Sequence, residues 1–290
     1  MTPRKATFNL ATDAVLMRVI IGRAGAKARS KTLQREAAAT HHADIDSLDT
    51  KVSKLARAAL DPIVKLESAA RSAFYFGTVR WDDNAYRLVP ATRFAALMAE
   101  LNDFKNRYYD AVQELVAQHP ALEADYRKRV GSVLASETKF PDARTLRESY
   151  RFEIRQMPLA DPNDLRLRHV DPRVVDEIKA SVNDAYAERL AAAQQEVIER
   201  LRERVAAIKD AVSRKKGRLH DSLAANLDKE VEALPHLNIT NDPEIARLIE
   251  RVRSELGGLE LSELKQSPKE RRATAKVASS VLDDLKNFGL

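Results

Sequence analysis

The chain has 290 residues, 32% of them charged and 44% hydrophobic, with 8 Gly and a formal net charge of +6, the composition of a helix-rich protein long enough to bury a substantial core. It has no cysteine, which excludes disulfides, thiolate zinc sites, iron–sulfur clusters and cysteine nucleophiles and points to an intracellular location. No apolar run approaches the roughly 20 residues that span a bilayer, so no membrane partner is expected.

The positive charge is concentrated at the start. Residues 1–35 hold Arg4, Lys5, Arg18, Arg23, Lys27, Arg29, Lys31 and Arg35 against Asp13 alone, which leaves the rest of the chain near neutral. Such a segment predicts a local contact surface for an anion, most often nucleic acid. Residues 14–21 (AVLMRVII) are rich in β-branched side chains and closed by Gly22, so they predict a strand buried on both faces, not a transit peptide. The segment GRAGAKARSK follows and predicts a basic mobile loop or arm; Gly25 precedes Ala26, so it lacks the Gly-Lys-Ser/Thr ending of a phosphate-binding loop.

Leu48, Val52, Leu55, Ala59 and Leu60 follow helical spacing, and Asp61-Pro62 predicts the start of a second helix. FYFGTVRW and YRLV flank Asp82-Asp83-Asn84, which predicts a β-hairpin over 74–88. A long helix capped by Thr92 is expected to end at His119-Pro120, with another over 121–134 and a short one opened by Pro141-Asp142. RFEIRQMPL alternates Phe152 and Ile154 against Glu153 and Arg155, a strand with one wet face.

From Asp171-Pro172 there is no further proline or glycine until Gly217, which predicts one helix of roughly 70 Å. Its apolar positions recur at a mean spacing above the 3.5 of a left-handed zipper, which favours an intramolecular hairpin with straight or right-handed pairing. Leu219, Leu223, Leu227, Val231 and Leu234 supply the returning stripe, and Asp242-Pro243 and Ser267-Pro268 open two more helices.

Few clusters carry chemistry. His41, His42, Asp44 and Asp46 lack the spacing of a calcium loop and the thiolates of structural zinc, and capping of backbone amides by Asp44 or Asp46 is the simpler account. Trp81-Asp82-Asp83 combines acids with an aromatic platform, but adjacent strand residues face opposite sides and a hairpin turn explains them better. No nucleophile elbow is present and no enzyme activity, metal or cofactor is expected. Arg214, Lys215, Lys216 and Arg218, and separately Lys265, Lys269, Arg271, Arg272 and Lys276, form two further basic clusters, each as compatible with a solvated face as with phosphate binding.

The order of AVLMRVIIGRAGAKARSKTL, FGTVRWDDNAYRLVPATRF, QHPAL and FPDARTLRESYRFEIRQMPLADP resembles an uncharacterised bacterial and phage family, domain of unknown function 3150. Ile20 and Ile21 stand where that family usually has an aromatic ahead of its loop glycine. The resemblance implies a phage or prophage-type accessory protein of DNA metabolism in the cytoplasm of a bacterial host, or an adaptor of a MoxR-type AAA+ ATPase. It supplies no catalytic residue.

The expected fold is α+β, mostly α: a small sheet with packed helices followed by a long C-terminal helical hairpin. Residues 1–35 are expected to form the N-terminal strand and basic arm, 36–170 a core domain sharing that strand, and 171–290 the hairpin and last helices. Arg18, Arg23, Lys27, Arg29, Lys31 and Arg35, with Arg214, Lys215, Lys216 and Arg218, are the expected DNA contacts. Leu190, Val197, Leu201, Val205 and Ile208 are the expected surface for homo-oligomer formation or docking, as in an adaptor or a virion structural protein.

Overall fold

A computed structural model describes residues 9–25, 27–53, 57–82, 85–214, 219–220 and 222–287. In chain order the elements are α1 (Leu10–Asp13), β1 (Ala14–Gly22), β2 (Lys27–Arg29), α2 (Lys31–His41), β3 (Lys51–Ser53), α3 (Arg57–Phe76), β4 (Val79–Arg80), β5 (Arg87–Pro90), α4 (Ala91–Glu137), α5 (Ala143–Glu148), β6 (Arg151–Pro158), α6 (Pro172–Ser213), α7 (Ser222–Leu237), α8 (Pro243–Leu256), α9 (Leu261–Gln266) and α10 (Pro268–Asn287). The fold is α+β and mostly helical, with a small sheet of order β4-β5-β1-β6 and a two-stranded ribbon of β2 and β3. Among the described residues no helix is long and apolar enough to cross a membrane.

The chain forms two compact units, one of Met1–Arg18, Phe74–Met98 and Gln156–Leu290, the other of Val19–Ala73 and Ala99–Arg155. This differs from the linear division at 35 and 170. The reason is pairing between distant segments: Ala14 to Met17 of β1 pair antiparallel with Pro90 to Arg87 of β5, so the first strand belongs with a segment far along the chain.

In the first unit the expected hairpin is present, with Val79 opposite Leu88 and Arg80 opposite Arg87, although residues 74–76 belong to α3. Asp83 and Asn84 of its expected turn lie outside the described residues. The long helix α6 starts where expected: the Asp171 carboxylate accepts from the Arg173 amide at 2.9 Å and Pro172 occupies the first turn. Forty-two residues at 1.5 Å make it about 63 Å long. Its second half buries Ala193, Val197, Leu201, Val205, Ile208 and Val212 in one core with Leu227, Val231 and Leu234 of α7, Ile249 and Val252 of α8 and Ala278 and Val281 of α10. The returning hairpin partner is α7, and α8 and α10 extend it into a bundle. Glu230 of α7 is fully buried and held by Arg200 at 2.5 Å and Arg204 at 3.3 Å from α6.

The second unit packs Ile21 of β1, Ile63 and Ala70 of α3, Tyr108, Val112 and Leu115 of α4, Leu146 of α5, and Tyr150 and Phe152. The Tyr108 hydroxyl donates to the Gly22 carbonyl at 2.6 Å, and its ring meets Phe152 edge-on at 5.5 Å. Asp142 caps α5 as expected, accepting from Thr145 at 2.8 Å. Three expectations change here. Of the helix read over 46–60, Ala59 and Leu60 do lie in α3 and Leu55 lies outside the described residues, but 45–53 hold a 3-10 turn at Ile45–Ser47 followed by β3, because a spacing of four, as between Leu48 and Val52, suits a strand face as well as a helix face. Pro62 lies inside α3 without starting a new helix, since a proline near a helix start removes only one N–H bond. Likewise α4 runs through Pro120 and breaks instead at Gly131, whose φ of 78° and ψ of 168° are a conformation essentially reserved for glycine.

Candidate nucleic-acid interface

Among the described residues, the basic start of the chain from Asn9 onward is folded into strands and a helix, not a mobile loop or arm. Arg18 lies half-buried in β1 and Gly22 ends that strand. Lys27 and Arg29 belong to β2, whose register with β3 sets Lys27 opposite Ser53 and Arg29 opposite Lys51. Lys31 opens α2 and Arg35 follows one turn later. Backbone pairing and capping impose this: the Ser30 amide donates to the Thr50 carbonyl at 3.2 Å, the Thr50 hydroxyl donates to the Ser30 carbonyl at 3.1 Å, and the Ser30 hydroxyl accepts from the Leu33 amide. Arg4 and Lys5 lie outside the described residues.

Acids from nearby elements meet part of this charge. Arg23 faces Glu67 at 3.8 Å, and Arg29 faces Asp49 at 3.2 Å. Lys51, and then Arg29, hold the Asp49 carboxyl below its ordinary value against an opposing effect of desolvation. Glu137 at the end of α4 accepts from the Ser30 hydroxyl at 2.7 Å and from the Thr32 amide and hydroxyl. Those bonds, the Thr32 hydroxyl first, hold its pKa below the usual value, with Arg35 adding to them. Glu36, Asp44, Asp46 and Asp49 also follow within the ribbon and its connecting helix, and Asp44 caps the 3-10 turn by accepting from the Asp46 amide at 3.1 Å.

The expected docking residues occupy the interior. Val197, Leu201, Val205 and Ile208 are at most 1% exposed and Leu190 is half-buried against the same core. The stripe is spent on the intramolecular hairpin that its spacing favoured, and α7, α8 and α10 cover it, so it is not a free docking surface.

What the structure does bring together is Arg214, the described member of one basic cluster, and Arg271 of the other, far apart in sequence. The Arg271 guanidinium near the start of α10 donates to the Arg214 carbonyl at 2.8 Å and the Ala211 carbonyl at 3.3 Å, capping the C-terminal end of α6. One helix turn back, the Lys209 ammonium donates to the Ser279 hydroxyl at 3.2 Å. Residues 209–218 hold five Lys or Arg against Asp210 alone, and 265–276 hold five against Glu270 alone. Lys269, Arg272 and Lys276 are exposed and spaced by three and four, so they share one face of α10, and Arg214 is exposed at the end of α6. Lys215, Lys216 and Arg218 lie outside the described residues. Each cluster was visible in the sequence; their meeting depends on α10 packing along α6 and has no local signal. Comparison of the chain with family models, with curated proteins and with solved structures finds no match.

Proposed function

We propose that this protein binds the phosphate backbone of DNA at the basic end of the α6–α10 pair and serves as a non-enzymatic accessory factor of DNA metabolism. The observation that carries this reading is the Arg271–Arg214 contact, which joins two cation-rich segments at one end of a bundle. Arg271 is spent on helix carbonyls, so Arg214, Lys269, Arg272 and Lys276 are the side chains offered to phosphate. Lys and Arg contacts of this kind displace condensed counterions and read no sequence, so the binding is salt-sensitive and sequence-tolerant.

The test is a titration of labelled duplex DNA across several salt concentrations with the variant K269Q/R272Q/K276Q. Loss of three phosphate contacts lowers the slope of log affinity against log salt by about 2.7. A second variant, R23Q/R29Q, keeps its slope, because Arg23 and Arg29 already face carboxylates. Deleting residues 1–35 is uninformative, since it removes β1 from the sheet. An unchanged slope in the α10 variant rejects the proposal.

A second reading, protein docking or self-association, is favoured by one feature. Leu167, Val170 and Val174, where the chain enters α6, are 37–44% exposed. If they form a contact between copies, Val174→Asp abolishes a concentration-dependent dimer in sedimentation.

A further inference from the structure

Within the first unit a cleft of about 780 Å³ opens between the β4–β5 hairpin and one face of α6, lined by Arg80, Trp81, Asp82, Arg87, Arg189, Ala192, Gln195, Glu196 and Glu199. Its size suits a small organic ligand. Residues 189, 192, 196 and 199 recur at helical spacing, and Ala192, with the shortest side chain of the α6 residues lining the cleft, leaves its middle empty. Trp81, the only tryptophan, forms one wall; its ring is buffered edge-on by Tyr186 at 5.7 Å and covered by the Arg189 guanidinium at 5.6 Å.

The charges are unevenly committed. Glu196 accepts from the Arg87 guanidinium at 2.7 Å and from the Arg80 amide at 2.5 Å. Glu199 pairs with Arg202 at 2.6 Å, and Asp82 accepts from the Tyr86 amide at 3.2 Å. Each carboxylate of the cleft is therefore already answered within the protein. Arg189 is different: it is exposed, and its described contact is the π-face of Trp81. An entering anion meets an available guanidinium; Trp81 itself is 5% exposed and Arg189 is the described cation over its face, so the ring opens to a ligand only if that guanidinium moves aside.

We propose that this cleft binds a nucleobase carrying a phosphate, the ring stacking on Trp81 in place of Arg189 and Arg189 turning to the phosphate. Base stacking on an aromatic side chain is sequence-tolerant and charge-assisted contacts by Arg suit phosphate, so the two groups together select this chemistry. The ligand is either a free nucleotide or a nucleotide within a strand. The proposal does not depend on the basic bundle end.

Trp81 reports its own occupancy. Titration of the full chain with nucleoside monophosphates, the matching nucleosides and short single-stranded oligonucleotides, followed by tryptophan emission, gives saturable quenching by the phosphorylated ligands. Nucleosides bind at least tenfold more weakly, and Arg189→Ala removes that preference while Arg189→Lys retains it. Ala192→Phe fills the cleft from an exposed position and abolishes the response, with circular dichroism confirming the fold. Quenching by free nucleotides and oligonucleotides alike supports the cleft as a mononucleotide site, and quenching by oligonucleotides alone supports it as a strand site. K269Q/R272Q/K276Q leaves either response intact, which separates this site from the bundle end. No quenching at millimolar nucleotide or oligonucleotide, nucleosides as effective as nucleotides, or an unaltered response in Ala192→Phe overturns the proposal.

Discussion

Glu230 is the best place to test what holds the helical bundle together. Its side chain is 1% exposed, and the two cations that answer it differ: Arg200 is 14% exposed and Arg204 37%. Arg200 also donates to the Phe76 carbonyl at 3.2 Å and the Thr78 carbonyl at 3.0 Å, so it ties α7 to the turn before β4. Glu230→Ala strands the Arg200 charge in a buried setting while Arg204 can turn to water. Breaking a buried pair costs about 3–5 kcal/mol, and the partial exposure of Arg204 sets the expectation at the lower end, about 3–4 kcal/mol. Glu230→Gln keeps an acceptor and loses the charge, for about 2 kcal/mol. The double variant R200M/E230M removes both charges and leaves only the Phe76 carbonyl without its donor, because Thr78 keeps Arg87 at 3.0 Å. It is therefore milder than Glu230→Ala, at about 1 kcal/mol. Urea unfolding followed by Trp81 emission reads the unit that contains all these groups. A cost below about 1 kcal/mol for Glu230→Ala, or a double variant worse than the single, refutes the argument.

Leu201→Ala leaves a cavity among α6, α7 and α10 and lowers stability by about 2–5 kcal/mol in the same urea assay, with no selective loss of any complex. Gly131→Ala forces a side chain into a glycine conformation and costs about 1–3 kcal/mol in thermal unfolding monitored by circular dichroism. The clasp of Glu137 on the start of α2 is pH-dependent. Its folded pKa lies below the ordinary 4.5, so its contribution is present above that value and is lost as the pH falls through the lower folded one. The protection factor of the Thr32 amide, its exchange rate relative to the intrinsic rate at the same pH, falls over that acid range in the native chain, and Glu137→Gln removes this loss of protection; identical profiles would count against the clasp. Burial raises the pKa of Tyr108, with Glu67 adding to it, and burial likewise raises that of Tyr150. Spectrophotometric titration accordingly shows two tyrosines that resist ionisation above pH 10 until the second unit unfolds, so stability falls as the pH rises past the unfolded value of 10.

Elements with local chemical signals were readable from sequence. Asp171-Pro172, Asp142 and the hairpin around Trp81 each depend on residues close in sequence; the two caps stand where capping rules put them, and the hairpin is present with a first strand that starts only at Val79. The start of the chain misled because clustered positive charge indicates solvent contact but says nothing of backbone pairing: Ser30 and Thr50 exchange hydrogen bonds across a twenty-residue separation that no periodicity records. Pro62 and Pro120 misled for the opposite reason, since a proline signal is strong locally and packing overrode it. The apolar stripe of α6 was correct as a buried face with the returning stripe of α7 as its partner, whereas the added cover from α8 and α10 had no signal in the stripe. For the candidate sites the limit was distance along the chain: Arg214 and Arg271, like Trp81 and Arg189, meet only after the helices have packed.

The path of the backbone has a consequence for how the molecule is made. It passes from one compact unit to the other four times, within β1, α3, α4 and β6, so neither unit is a contiguous stretch that a shortened gene could encode. During synthesis, every segment of the second unit has left the ribosome once Arg155 emerges, whereas the first must wait for the C-terminal helices to close its interior. Until then the opening strand and the hairpin of Val79 and Leu88 are held without the apolar cover they finally receive, which makes the nascent chain, more than the finished protein, the species exposed to aggregation and to chaperones.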